Sequence, residues 1–223
     1  MRSWGNRPDT VVCDEPLYAH YLRATGAAHP GREEVIASHE ADWRKVAAWL
    51  TGPVPGGKAI FYQKQMTHHL LQDIERGWME ALTHVFLIRH PREVIVSYLK
   101  KNPHLELDDT GLPQQAGLFD WVRRRLGRTP PVVDGADVLA DPRRTLTLLC
   151  AAVDVPFLEA MLSWPPGPRP TDGVWAKHWY AEVERSTGFG APAARDESVP
   201  PGFEPLLAAC MTIYRQLHQH RLR

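Results

Sequence analysis

The stretch His84–Lys101, HVFLIRHPREVIVSYLKK, predicts a strand that runs directly into a helix. The apolar run Val85–Ile88 is short and includes β-branched residues, which is typical of a buried parallel strand. Pro91 suits the first turn of a helix, because the amide hydrogen that it lacks would be unpaired there anyway. Arg89 therefore lies where the strand ends, and ligands of open α/β sheets bind at that edge.

Three further short segments predict strands, and helical patterns separate them along the chain. We expect these strands at Asp9–Asp14, Ala59–Gln63 and Val132–Asp134. The alternation predicts an α/β protein, a doubly wound three-layer sandwich with a mainly parallel sheet. At 223 residues, the chain is expected to form a single domain over 1–223, with a mobile Pro/Ala/Gly-rich loop at 190–202. The segment Leu70–Ala81 is predicted as a helix.

The composition limits the partners that the chain can have. Its 26 basic and 26 acidic residues give a formal net charge of zero, so no overall field attracts nucleic acid or an anionic membrane. Three cysteines, at positions 13, 150 and 210, are too few and too scattered for a disulfide framework, which favours the reducing cytoplasm. No apolar run approaches the roughly 20 residues that span a bilayer. The oligomeric state, a homodimer included, stays open.

Arg89 and Ser97 form the first candidate site. Ser97 follows Arg89 by eight residues, about two helical turns, and both side chains can donate to an anion. An incidental surface arginine is the alternative interpretation. Arg-x-Pro with Ser at this offset resembles the motif by which sulfotransferases bind the 3′-phosphate of 3′-phosphoadenosine 5′-phosphosulfate (PAPS). The resemblance implies that Arg89 and Ser97 bind this phosphate, with PAPS as co-substrate, a small-molecule acceptor and no metal.

The resemblance covers most of the chain and implies the P-loop NTPase-like sulfotransferase fold. The late segment Asp137–Val153, with its Asp-Pro helix start, also resembles these enzymes. In that family a strand and a phosphate-binding loop precede the helix that matches Met1–Trp4, and the given sequence contains neither. We therefore expect this fold minus its first strand. A small-molecule kinase is disfavoured, because the GxxxxGK[ST] loop is absent.

Two explanations of the missing strand stay open. The chain could start too far downstream, or it could be a relative that has lost the loop. The first is favoured, because removing a central strand exposes two strand edges. The second predicts a catalytically impaired relative that binds an adenine nucleotide or a protein partner.

Glu15, Lys64, His68 and His69 are the candidate catalytic residues. Glu15 follows a predicted strand and resembles the base of some sulfotransferases that act on sugars; a solvated turn is the alternative. Lys64 resembles the lysine of a Lys-Thr-His motif, although Met66 occupies the position of that histidine. His68 and His69 would point about 100° apart on a helix, so only one could face the site. With no carboxylate or cysteine cluster at ligand spacing, we expect no metal site.

Trp175 and Lys177 are candidates for closing the donor site. The stretch Trp175–Tyr180, WAKHWY, is basic and aromatic. It resembles a late loop of sulfotransferases, which implies Lys177 on a phosphate and Trp175 near the adenine. Burial of these aromatic residues as anchors is the alternative.

Overall fold

The computed structural model describes residues 1–100, 103–191 and 198–223. These residues divide into two compact units. The first contains Met1–Leu82 and Leu158–Phe189, and the second contains Thr83–Phe157 and Gly190–Arg223. The single-domain organisation stays a prediction. The predicted mobile loop at 190–202 includes residues 192–197, which lie outside the described residues.

The described chain contains short strands between helices, as the sequence predicts. The strands are β1 (Thr10–Asp14), β2 (Ile60–Lys64), β3 (Phe86–Ile88) and β4 (Val132–Asp134). The helices are α1 (Arg2–Gly5), α2 (Tyr18–Thr25), α3 (Arg32–Ser38), α4 (Trp43–Leu50), α5 (Pro91–Leu99), α6 (Leu112–Leu126), α7 (Gly135–Ala140), α8 (Pro142–Ala152), α9 (Ala176–Trp179), α10 (Ala181–Arg185) and α11 (Glu204–His218). Single 3₁₀ turns lie at Pro55–Gly57, Thr67–His69, Gly77–Ala81, Asp108–Thr110 and Glu159–Met161.

All four strands in the described part of the chain pair in parallel. In the first unit β1 pairs with β2, and the register ends with Asp14 opposite Lys64. In the second unit β3 pairs with β4, and Ile88 lies opposite Asp134. The α/β class with parallel strands is therefore confirmed, and each predicted strand boundary is correct to within one residue. The strands form two separate two-stranded sheets, one in each unit.

The core of the first unit forms where amphipathic helices pack beside β1 and β2. In α4 the buried residues Trp43, Val46 and Leu50 recur at helical spacing, and they pack with Ile74. The carboxylate of Asp42 accepts a hydrogen bond from the amide of Arg44 and caps the helix. A second cluster is centred on α2 and α3 and includes buried Trp175.

The predicted helix at Leu70–Ala81 is wrong. The structure has irregular turns over this segment and one 3₁₀ turn at Gly77–Ala81. Leu70, Ile74 and Trp78 still reach the same cluster beside α4. Burial of these side chains through turns satisfies the apolar pattern without a helix, and Gly77 has little helical preference.

The core of the second unit joins α5, α6 and α11. Ile95 and Cys210 are fully buried and pack together with Leu105 and Leu112. Pro91 lies in the first turn of α5, as predicted. In the described part of the chain, no helix combines the length and the apolar character that a membrane span requires.

Candidate functional site

The parallel register of β1 and β2 brings an acidic pair beside a lysine at the carboxyl edge of the first sheet. Asp14 and Lys64 are the last register partners. The amide of Glu15 then donates to the carbonyl oxygen of Lys64 at 2.8 Å, which continues the ladder by one bond. Glu15 has a φ of 42°, a left-handed conformation that is uncommon for a residue other than glycine. Such strain is often found at functional sites.

Lys64 is surrounded by oxygen atoms. Its Nζ donates hydrogen bonds to Glu15 Oε1 and, at 3.4 Å, to the hydroxyl oxygen of Tyr180. Asp14 Oδ1 lies 3.3 Å from Nζ. Burial opposes the charge of Lys64, but the carboxylates of Glu15 and Asp14 outweigh it and raise the pKa of Lys64 above its ordinary value. Lys64 is therefore an ammonium ion at neutral pH.

Glu15 has the environment of a carboxylate base. Its side chain is 12% exposed. Burial raises the pKa of Glu15, although the neighbouring charge of Lys64 acts in the opposite direction. A carboxylate whose pKa is raised is a stronger base than an exposed one.

His69 lies next to Glu15. Its Nδ1 is 3.8 Å from Glu15 Oε2 and makes no hydrogen bond among the described residues. Burial, helped by the nearby His68 and Lys64, lowers the pKa of His69 well below its ordinary value. His69 is therefore a neutral imidazole at neutral pH.

Aromatic rings fix the position of His69. Its ring stacks on Tyr18 at 4.7 Å with an interplanar angle of 6°, and on Tyr21 at 4.7 Å. His68 and His69 occupy the 3₁₀ turn Thr67–His69, which sets their rings 79° apart. His69 consequently lies against Glu15, while His68 packs edge-on to Tyr21.

The second unit carries Arg89 and Ser97 on the segment that contains β3 and α5. The side chain of Arg89 is 53% exposed, and its nearest carboxylate is Glu93 Oε2 at 3.6 Å. A Cβ atom on Gly135 would lie 3.3 Å from Arg89 Cγ, so the glycine leaves room for the arginine stem. Ser97 is exposed on α5. An exposed pair such as Arg89–Glu93 is weak, so the guanidinium can exchange this partner for a phosphate.

The carboxyl edge of the second sheet also contains a buried acid. Asp134 ends β4, caps α7 by accepting from the amide of Ala136 at 2.8 Å, and accepts a hydrogen bond from the hydroxyl of Tyr214. His218 Nε2 lies 3.5 Å from Asp134 Oδ2. This cluster fixes α11 beside β4.

The sequence matches the model of a family described as "Sulfotransferase domain" over residues 1–221. The chain belongs to this sulfotransferase domain family. Two proteins of Arabidopsis thaliana are similar to it, namely "Branched-chain-amino-acid aminotransferase-like protein 1" at 35% identity and "Branched-chain-amino-acid aminotransferase-like protein 2" at 32%. Each match covers 99% of this chain but only 39% of the plant protein.

Two solved structures are also similar to the sulfotransferase domain. One is described as "Sulfotransferase Domain from the Curacin Biosynthetic Pathway", with a TM-score of 0.40, 15% identity, and coverage of 92% of this chain and 72% of that chain. The other is "Sulfotransferase Domain from the Synechococcus PCC 7002 Olefin Synthase", with a TM-score of 0.43, 15% identity, and coverage of 96% and 94%.

The structure brings together three of the four candidate catalytic residues of the sulfotransferase domain. Glu15, Lys64 and His69 are in contact at the edge of the first sheet. His68 packs edge-on against the ring of Tyr21 instead, with the two ring centroids 5.4 Å apart. The catalytic roles of these four residues stay predictions. Among the described residues, no group of three or more His, Cys, Asp or Glu side chains is arranged to bind a metal.

The two late candidates of the sulfotransferase domain, Trp175 and Lys177, have different environments. Trp175 is buried and lies edge-on to Tyr18 at 5.1 Å, which agrees with the alternative of an anchor. Lys177 forms an exposed ion pair with Glu34. A contact of either residue with the donor stays a prediction.

Sequence reasoning missed two members of the site in this sulfotransferase domain. Tyr180 lies between α9 and α10, and its hydroxyl donates to Asp14 Oδ2. Asp14 ends the predicted strand Asp9–Asp14, but it was not among the candidate site residues. The basic and aromatic stretch that ends at Tyr180 was the available signal, but its spacing does not tell which ring reaches the sheet.

Proposed function

We propose that this sulfotransferase domain transfers a sulfuryl group from PAPS to a hydroxyl or amine of a small-molecule acceptor. Membership of the family supports the class of reaction. The observation that carries the proposal is the contact of Glu15, Lys64 and His69 at the carboxyl edge of the first sheet. Ligands of parallel α/β sheets bind at this edge.

Glu15 is the general base of the proposed reaction. It takes the proton of the acceptor O–H or N–H group while the acceptor atom attacks the sulfur of the donor. The bond between sulfur and the bridging oxygen of the 5′-phosphate breaks, and 3′-phosphoadenosine 5′-phosphate leaves with the electron pair. His69 is the poorer base, because its pKa is lowered and it is 2% exposed, so it supports Glu15 instead.

Lys64 supplies positive charge in this reaction. A raised pKa keeps it protonated throughout the neutral range. Its side chain is 29% exposed, so the ammonium group can reach a ligand at the sheet edge. Stabilisation of developing charge is usually the largest contribution to such catalysis.

Arg89 and Ser97 bind the 3′-phosphate in this proposal. The exposed guanidinium and its weak pairing with Glu93 are suited to a phosphate, which it can bind with two parallel hydrogen bonds. We also propose a cytoplasmic location, because Cys13, Cys150 and Cys210 are all free thiols.

We do not propose aminotransferase chemistry for this domain. The name "aminotransferase-like" describes plant proteins of which the chain spans only 39%. A lysine that forms a Schiff base is activated by a lowered pKa, whereas the pKa of Lys64 is raised. The chemistry of this lysine therefore favours charge stabilisation.

Calorimetric titration with 3′-phosphoadenosine 5′-phosphate tests the donor site. We expect binding by the wild-type chain, and Arg89→Ala should weaken it by about 2 kcal/mol, or about 30-fold, because a charged hydrogen-bond partner is lost. Arg123→Ala is the matched control, since Arg123 is a similarly exposed arginine of the same unit paired with Asp120. Equal affinity of the Arg89→Ala variant and the wild type would contradict the assignment.

Transfer of radiolabelled sulfuryl from PAPS to a panel of phenols, sugars and amines tests the chemistry. Glu15→Gln should lower kcat by about 100-fold or more, because general base catalysis contributes about that much. Glu40→Gln, at an exposed position of the same unit, is the control and should retain activity. Nucleotide binding without transfer to any acceptor would instead favour the catalytically impaired nucleotide-binding relative.

A further inference from the structure

The hydroxyl of Tyr180 connects the lysine of the site to its buried aspartate. It donates its proton to Asp14 Oδ2 and accepts a hydrogen bond from Lys64 Nζ at 3.4 Å. The Lys64 Nζ also lies 5.9 Å from the centre of the Tyr180 ring. A tyrosine hydroxyl has one proton to donate, and it is used on the carboxylate.

The segment that carries Tyr180 is anchored at Trp175 and held in shape by local backbone hydrogen bonds. Trp175 is buried between Tyr18 and His39, with ring centroids 5.1 and 5.0 Å away. The amide of Tyr180 donates to the carbonyl of Ala176 at 2.7 Å, and its own carbonyl accepts from Glu184 at 2.7 Å. The hydroxyl is therefore held at the sheet edge by packing that does not involve Lys64.

Three oxygen atoms compete for the ammonium of Lys64. The carboxylate of Asp14 is buried, and that of Glu15 is more exposed. Without a donor on Oδ2, the buried carboxylate of Asp14 would lose a hydrogen bond, and it would attract Lys64 more strongly. The hydrogen bond from Tyr180 supplies the carboxylate of Asp14 with one donor, so that Lys64 can stay close to Glu15.

We propose that Tyr180 is a positioning residue that holds Lys64 between Asp14 and Glu15 and so controls how readily Glu15 accepts a proton. This inference rests on the proposed function for its catalytic meaning, but the effect on Glu15 itself does not. The titratable and charged groups that face Glu15 are Asp14 from β1, Lys64 from β2, His69 from the 3₁₀ turn, Tyr18 from α2, and Tyr180.

Tyr180→Phe tests the proposal, because it removes only the hydroxyl. Lys64 should then move toward Asp14, and Glu15 should lose part of its ion pair. Loss of a nearby positive charge raises the pKa of a carboxyl group. We expect the midpoint of the Glu15 titration, followed by NMR of the ¹³C-labelled side-chain carboxyl and assigned with Glu15→Gln, to rise by about half a pH unit.

Tyr214→Phe is the matched control, since its hydroxyl likewise donates to a buried carboxylate, that of Asp134 in the second unit. It should leave the Glu15 titration unchanged. An unchanged titration in Tyr180→Phe, in a chain whose spectrum shows that it is folded, would overturn the proposal, whether or not the chain transfers sulfuryl groups.

Activity provides a second readout. If transfer is observed, Tyr180→Phe should shift the acidic limb of the kcat/KM profile to higher pH, by as much as the Glu15 titration midpoint rises. It should also lower kcat, with little change in the KM for the acceptor. A loss of thermal stability with an unshifted pH profile would show that Tyr180 is merely structural. The NMR titration does not depend on donor or acceptor, so failure of the proposed function and failure of this inference are distinguishable.

Discussion

Removal of the Lys64 charge should destabilise the chain in a way that depends on pH. Lys64→Met keeps much of the side-chain volume and leaves the carboxylates of Asp14 and Glu15 without their cation. Removing one partner of a buried ion pair costs about 3–5 kcal/mol. Because Lys64 is 29% exposed and water can reach the site, we expect the lower end of this range, about 3 kcal/mol at pH 7.

The sign of the pH dependence follows from Glu15. Burial already raises its pKa above the ordinary value of 4.5, and loss of Lys64 raises it further. In the range between the unfolded and the folded pKa, the folded chain of the variant binds more protons than the unfolded chain. The free energy of unfolding of Lys64→Met should therefore fall as pH rises through this range. The loss of stability relative to the wild type is then smallest near pH 4.5 and greatest at neutral pH.

In the wild-type chain the raised pKa of Glu15 gives a pH dependence of the same sign but smaller size, because Lys64 opposes the effect of burial. The folded pKa of Lys64 is raised above 10.5, so its contribution to stability is fully present below that pH and is lost only as pH rises further. Urea unfolding followed by circular dichroism, at several pH values, measures both curves. The double variant Glu15→Gln/Lys64→Met should recover part of the loss, because one uncompensated charge is gone.

Lys45→Met is the control for this experiment, since Lys45 is 70% exposed and its pair with Glu40 is long, at 3.5 Å. It should change stability by no more than about 0.5 kcal/mol. A cost below about 1 kcal/mol for Lys64→Met, or an equal cost at pH 4.5 and pH 7, would refute the buried ion-pair argument.

Three further predictions concern backbone and packing. Glu15→Gly should be more stable to urea than Glu15→Ala by about 1 kcal/mol, because both remove the carboxylate but only glycine tolerates the positive φ. Gly173→Ala should lower the melting temperature and cost about 1–3 kcal/mol, because the new Cβ would lie 2.2 Å from the ring of Trp175. Asp141→Ala should cost about 1 kcal/mol in the same assay, because the carboxylate caps α8 through the amide of Arg144 at 2.9 Å.

The parts of the fold that depend on neighbouring residues could be predicted from the sequence. The four strands, the helix that follows Arg89, its first-turn Pro91 and the cap at Asp141 are all encoded within a few residues. The placement of Glu15 and Lys64 at one edge also follows, because both come directly after or at the end of parallel strands. The family resemblance was visible in the same local motifs.

The contacts that complete each sheet edge could not be predicted, because they join distant parts of the chain. Tyr180 and Asp14 are 166 positions apart, and Tyr214 and Asp134 are 80 apart. A lone tyrosine in an amphipathic or aromatic segment gives no local sign that its hydroxyl will meet a carboxylate. The predicted helix Leu70–Ala81 is wrong for a different reason, because turns bury Leu70, Ile74 and Trp78 in the same cluster that a helix could have reached.

The charges at the first sheet edge explain how a lysine held by two acids can serve the proposed reaction. Asp14, Glu15 and Lys64 together carry one net negative charge, which is unfavourable for a sulfuryl donor that is itself an anion. When Glu15 takes the proton of the acceptor, that net charge becomes zero, and Lys64 loses its closest partner. The ammonium is then available while negative charge develops on the leaving phosphate. In the proposed reaction, proton transfer to Glu15 and charge stabilisation by Lys64 are therefore coupled, and the raised pKa of Glu15 favours both at the same time.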